Sequence, residues 1–405
     1  MDFSTIKAPH ILLPNKNVDL SSFAVIACDQ FTSNLDYWKK VEEIAKDRPS
    51  TLHMMFPEAY LGHVDEDEYI NNINQTIDKY LHSETLIDEG ECFILVDRST
   101  SGVPHRLGLV ISIDLEDYTY KKGVKSLIRA SEATIEERIP PRLKIRNNAS
   151  VELPHVLFLF DDKDKTIVEE LYKNKDQLEK VYDFDLNMDG GHLTGYKVKD
   201  TKSIIDKFEL LLNKNGNGLL FIVGDGNHSL ATAKAHWDNI KINLTEEKRK
   251  NHPARYALVE ALNIYDDGLI FEPIHRLVFN PHKDFLIGLQ NILKGDFKSY
   301  AYSKNLGKIP LNMPLNAPLA YKVIHNYIDD YLNKHNDSSV DYIHDEDELL
   351  LTADKNPSSI AIKMPSLTKG DIFDYIAKDE VLPRKAFSMG RASEKRYYLE
   401  SKLIK

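Results

Sequence analysis

Leu219-Leu220-Phe221-Ile222-Val223-Gly224-Asp225-Gly226-Asn227-His228-Ser229-Leu230-Ala231-Thr232-Ala233-Lys234-Ala235-His236-Trp237 is the stretch on which the reading of this chain turns. Its first five residues form an apolar run of strand length. The next four are turn formers, and from Ser229 the pattern is helical. A strand, a tight turn and a helix in that order predict an α/β fold. They also predict an anion site, because glycine lets the backbone approach a ligand, and the free N–H groups and positive dipole end of a helix favour phosphate. Asp225 is placed to act as a base or to orient magnesium, and His228 to donate to phosphate oxygens or serve in acid–base work. Gly224, Gly226, Asn227 and Ser229 complete the loop. The same residue types also make an ordinary turn and helix cap. The spacing is neither that of a Walker loop nor the full dinucleotide fingerprint.

Working outward, Phe23 to Ala27 reads as a short buried strand and Leu35 to Lys46 as a helix after Ser33 and Asn34. Cys28-Asp29-Gln30 follows that strand end, where ligands of open α/β sheets tend to bind, so Asp29 is a candidate general base. Cys92 to Asp97 and His105 to Asp114 read as two strands of a hairpin. Ser126 to Asn148 is charge-dense and reads as helix, with Pro140-Pro141 suited to a first turn. Val156 to Phe160 reads as a strand, Lys165 to Tyr182 as a helix, and Asp189-Gly190-Gly191-His192 as a turn. Lys294 to Pro318 is rich in Pro, Gly, Asn and Lys and reads as a linker. These signals suggest an N-terminal α/β lobe over 1–125, a central α/β lobe over 126–300 that carries the Asp-Gly-Asn-His loop, and a C-terminal portion over 301–405.

Further charged residues suit an anionic ligand. Arg129, Arg138, Arg142 and Arg146, in a cluster with Glu132 and Thr134, offer four guanidinium groups for phosphate or carboxylate; Arg129 and Glu132 are the better placed, and Arg142 and Arg146 suit a solvated helix face. His275 and Arg276, in Glu272-Pro273-Ile274-His275-Arg276-Leu277-Val278, would add positive charge if they faced the Asp225 loop. Pro383-Arg384-Lys385 to Gly390-Arg391 could add phosphate ligands or form a solvated basic tail.

The 405 residues are 42% hydrophobic and 28% charged, ordinary values for a globular chain with a sizeable core. A formal net charge of −11 disfavours nucleic acid, since duplex binding relies on Lys and Arg neutralising phosphates. Cys28 and Cys92 make no Cys-x-x-Cys pair, so a zinc site or disulfide framework is not expected. With no signal-like or membrane-spanning run, the expectation is a soluble, cytoplasmic protein.

Several segments together resemble the bacterial family known as domain of unknown function 1015. They are Ala27-Cys28-Asp29-Gln30-Phe31-Thr32-Ser33 with Tyr37-Trp38, Pro49-Ser50-Thr51-Leu52, and Arg129-Ala130-Ser131-Glu132-Ala133-Thr134. The resemblance continues through Val223 to Lys234, Phe271 to Arg276, Pro383 to Gly390, and Glu394-Lys395-Arg396-Tyr397-Tyr398-Leu399-Glu400. The Asp-Gly-x-His segment also resembles one in free serine kinases built on a ParB-like fold. That resemblance implies a ParB-like mixed-sheet core with additional helical and C-terminal elements. It also implies a small-molecule phosphotransferase acting on L-serine, or on phosphoserine in the reverse sense, with ATP or ADP as co-substrate and magnesium as a further cofactor. The small-molecule partner would be an amino acid or its phosphate. The wider group more commonly carries Asp-Gly-His-His-Arg. Here Asn227 and Ser229 flank His228, so Arg276 or Arg129 would have to replace the missing arginine. A non-catalytic nucleotide- or phosphometabolite-binding regulator is the alternative, and a partition-type DNA-binding protein fits the charge poorly.

Overall fold

A computed structural model describes residues 3–121, 123–132, 134, 136–378, 380–383 and 385–405. The chain forms two compact units: Met1–Ala130 with Thr134–Leu269 and Arg391–Lys405, and Ser131–Ala133 with Ile270–Gly390. These boundaries differ from the expected three lobes. The tail from Arg391 returns to the first unit because its short strands find their partners there: Tyr397–Tyr398 pairs with Val25–Ile26, and Lys402–Leu403 with Val151–Glu152.

The first unit is built on a ten-stranded mixed sheet. Its order is Glu179–Asp185, His192–Val198, Phe93–Ser99, Arg106–Asp114, Tyr256–Asn263, Leu157–Phe160, Phe221–Asp225, Ile128–Ala130, Tyr118–Thr119, with Ile6–Lys7 added beside Arg106–Asp114. The expected mixed-sheet α/β class is therefore present. Leu157–Phe160 and Phe221–Asp225 are buried along their apolar length. The rings of Phe158, Phe160, Phe208 and Phe221 pack as tilted and edge-on pairs. A strand covered on both faces reads as a continuous apolar run, which is why both were legible in sequence.

Three expected elements differ from those observed. Among the described residues of 126–148, only Ile139–Arg146 is α-helix, and Ile128–Ala130 is a strand parallel to Phe221–Val223. Sheet pairing outweighs the helical composition there. Pro140 and Pro141 do fall in the helix's first turn, where a missing N–H matters least. The helix expected over 165–182 is confined to Val168–Lys173 and gives way to the strand Glu179–Asp185, which forms a hairpin with His192–Val198 around Gly191 at φ +89°.

The second unit contains a five-stranded antiparallel sheet in the order Gly307–Met313, Phe297–Ser303, Ser359–Ile362, His275–Phe279, Ser339–Ile343. Among its described residues are the α-helices Asp284–Ile292, Ala317–Leu332, Glu346–Lys355 and Lys369–Ala377. The expected linker over 294–318 is largely the hairpin of the first two strands, closed at Gly307, whose φ is +68°. Alternation of buried Ala301 and Ser303 with more exposed neighbours is the strand signal that the Pro and Gly content obscured. Among the described residues, no helix is long and apolar enough to cross a membrane.

Candidate functional site

The strand Phe221–Asp225 ends in Gly226, whose φ of +82° is left-handed, and the chain enters the helix Asn227–Lys241. Only glycine adopts that conformation without strain, and a Cβ at Gly226 would lie 3.0 Å from Val156 Cα. The N-cap position is Gly226, which has no side chain to cap the helix, and the first intrahelical bond runs from Leu230 N–H to Gly226 O at 3.0 Å. Backbone N–H groups of the first turn are therefore presented at a positive dipole end. Asn227 Oδ1 is buried without a hydrogen-bond partner, an acceptor that a ligand hydroxyl or ammonium would satisfy.

Asp225 accepts from its own turn, Gly226 N–H at 2.9 Å, and pairs with Lys395 Nζ at 2.9 Å. Burial opposes ionisation of Asp225, but the charge and hydrogen bond of Lys395, with help from His155, outweigh it and hold the carboxyl below its usual range. Both carboxylate oxygens are thus engaged, and the ammonium already supplies the neighbouring positive charge. A magnesium ion at Asp225 would therefore compete with the Lys395 ammonium for the same carboxylate.

His155, only 8% exposed at its side chain, joins the loop to two distant segments. Its Nδ1 lies 2.6 Å from Tyr398 Oη, its Nε2 lies 2.9 Å from Ser229 Oγ, and Asp29 Oδ2 stands 3.7 Å from the same Nε2. Asp29 is 28% exposed and accepts from Gln30 Nε2 at 2.9 Å. Tyr398 accepts the Cys28 N–H and donates to Cys28 Sγ, both at 3.3 Å. Burial and the Asp29 carboxylate push the Cys28 thiol up to about 12, so it is not a thiolate nucleophile at neutral pH.

The C-terminal tail holds this arrangement in place. Buried Arg98 donates to the carbonyls of Gly190, Ser393, Glu394 and Lys395, and Arg106 donates to Glu394 O. These bonds fix the backbone that carries Lys395. Arg396 is buried between Glu260 and Glu400 and donates through Nε to Pro154 O at 3.1 Å, fixing the residue before His155. Gly108 has no side chain because a Cβ there would overlap Glu260.

Of the residues expected from sequence, the structure gathers Asp29, Asp225, Gly226, Asn227 and Ser229 around one turn and one imidazole. Gly224 and His228 lie in the same segment and are half-buried. Arg129, on the adjoining strand, sits opposite Ile222 and donates to Ser126 O at 3.3 Å. Glu132 belongs to the second unit, where it bridges Leu382. His275 and Arg276 are buried in that unit: His275 Nδ1 accepts Met364 N–H at 3.1 Å, and the Arg276 guanidinium lies over the rings of Tyr321 and Tyr342. Arg142 pairs with Glu58, and Arg146 with Glu152 at 2.6 Å. Arg384 and the side chain of Arg138 lie outside the described residues.

Sequence reasoning missed His155, Lys395 and Tyr398. His155 lies 74 residues from Ser229 and 243 from Tyr398, so no local spacing links them. The paired Tyr397-Tyr398 beside Lys395-Arg396 was the available signal.

An α/β protein with a large mixed sheet, a glycine turn leading into an uncapped helix, and a His–Ser–Asp cluster beside it is the class these features define. The chain belongs to the family described as "Protein of unknown function (DUF1015)", whose profile matches residues 11–369. No curated protein matches. Three solved structures show a distant likeness. A free serine kinase in complex with AMP is 9% identical, with a TM-score of 0.39, covering 72% of this chain and 90% of that one. A conserved hypothetical protein from Pyrococcus furiosus is 9% identical, with a TM-score of 0.35, covering 73% and 95%. SbnI with C-terminal truncation from Staphylococcus aureus is 10% identical, with a TM-score of 0.38, covering 69% and 83%. At these scores the likeness carries no argument about mechanism.

Proposed function

We infer that this protein is a small-molecule phosphotransferase of the kinase type. The observation that carries the reading is the meeting of the uncapped Asn227–Lys241 helix and Lys395 with the His155–Ser229–Asp29 cluster. The helix amides, Gly226, Asn227, His228 and Ser229 would cradle the transferring phosphoryl group, and Lys395 would offset its charge. Asp225 is a positioning residue that fixes both the turn and the ammonium. Asp29, exposed enough to meet a substrate, would accept the proton of the acceptor hydroxyl while His155 stands beside it. The hydroxyl oxygen attacks the terminal phosphorus of ATP or ADP. An O–P bond forms as the P–O bond to the departing nucleotide breaks, and the hydroxyl proton passes to the carboxylate. Phosphoryl transfer needs little more than such positioning and charge stabilisation.

L-Serine is the first acceptor to test, on the resemblance of the Asp-Gly-x-His segment to free serine kinases. Phosphorus NMR with L-serine, magnesium and either ATP or ADP should show O-phosphoserine forming, and Lys395→Met should abolish it. Release of inorganic phosphate from O-phosphoserine alone would reassign the direction to hydrolysis. Saturable nucleotide binding with no turnover of any acceptor would overturn the enzyme reading in favour of a regulator.

A further inference from the structure

A cavity of about 180 Å³ in the first unit opens beside Ser229 and His155. Its walls are core side chains, among them Met55, Phe56, Ile73 and Leu258, each at most 5% exposed, with Ala233 from the helix that follows the Asp225 turn. Two cations also border it, and both are matched: Arg142 by Glu58 and Arg146 by Glu152. An occupant that brought a charge to those walls would have to break an ion pair. The groups suited to fix a ligand's polar end are His155, Ser229 and Tyr398. An apolar chamber bordered by a few convergent polar groups binds amphipathic small molecules. An apolar cavity of roughly 150 Å³ suffices for benzene, whereas serine carries a single methylene and would leave the walls unfilled.

We propose that the phosphoryl acceptor is a hydroxy acid or β-hydroxy amino acid with an apolar group about the size of a benzene ring. The apolar group sits in this cavity, and the hydroxyl is presented at Asp29 and His155. The inference rests on the phosphotransferase reading and narrows its substrate. The bond changes are those of that reading: the acceptor's O–H oxygen gains the phosphoryl group, the nucleotide leaves, and Asp29 takes the proton.

The test compares phosphorylation of L-serine and of threo-β-phenylserine by the full chain. Discrimination in an apolar pocket is worth about tenfold or more, so kcat/KM for phenylserine should exceed that for serine by at least about tenfold. Ala233→Leu, which fills the chamber, should bring the ratio to about one. If that variant does not fold, Leu61→Trp at the 40% exposed rim supplies the same obstruction. Serine turnover equal to or above that of phenylserine overturns the inference and leaves the phosphotransferase reading standing. If neither compound is phosphorylated, the phosphotransferase reading fails, and calorimetric titration with phenylserine decides the cavity. Saturable binding that Ala233→Leu removes upholds an amphipathic ligand there, and no binding refutes it.

Discussion

Replacing Lys395 with methionine removes the cation that keeps the Asp225 carboxylate ionised against burial. Breaking a fully buried ion pair from one side costs about 3–5 kcal/mol. Here Lys395 is 13% and Asp225 29% exposed. Solvent screening lowers the expected loss to roughly 1–3 kcal/mol. Both tryptophans, Trp38 and Trp237, are buried in the first unit, so their fluorescence in a urea titration reports the unit that carries the pair. The pH dependence sharpens the test. In the wild type the depressed Asp225 pKa contributes stability that is present above the unfolded carboxyl value and lost as pH falls through the folded one. In Lys395→Met, burial lifts the carboxyl above its unfolded value, so the same group removes stability as pH rises past about 4. Asp225→Asn in the Lys395→Met background should recover most of the loss. Unchanged stability at pH 7, or an unchanged pH slope near 4, would refute the claim that Lys395 holds this carboxylate ionised.

Burial also pushes His236, in the first unit, and His275, in the second, down to about 4, so each is neutral in the folded protein. Each should withdraw up to about 3 kcal/mol of stability as pH falls from 6.5 towards 4, because the unfolded chain takes up the proton first. The tryptophan-monitored pH slope should flatten in His236→Gln. With its pKa near 12, Cys28 should react with iodoacetamide at pH 8 at least about a thousandfold slower than free cysteine, and mass spectrometry of the alkylated protein checks this. Gly108→Ala would press a methyl group against Glu260, whose partner Arg396 anchors Pro154. A loss of about 1–3 kcal/mol by urea titration is expected. Gly226→Ala forces alanine into left-handed backbone and should cost about 1–2 kcal/mol by urea titration; on the phosphotransferase proposal it should also remove most of the ATP or ADP affinity, read by calorimetry.

The amino-acid sequence by itself determined the elements whose signal is local. The apolar run before Gly224, the glycine turn and the helix that follows are each written within 15 or so consecutive residues, because burial on both sheet faces, left-handed backbone and helical periodicity act over that range. The hairpin of Phe93–Ser99 with Arg106–Asp114 and the turn at Gly191 were legible for the same reason. Asp29 could be singled out as a loop carboxylate after a strand. Only the tertiary structure decided what faces it. Sheet pairing drew Ile128–Ala130 out of an apparently helical stretch and turned an apparent linker into Phe297–Ser303 and Gly307–Met313. Pairing of Tyr397–Tyr398 with Val25–Ile26 brought Tyr398 to Cys28. Arg98 and Arg396, buried among carbonyls and carboxylates, fixed Lys395 and His155 beside a loop far away in sequence. Ion pairs and imidazole contacts of that kind are set by where strands end in space, and chain spacing carries no record of them.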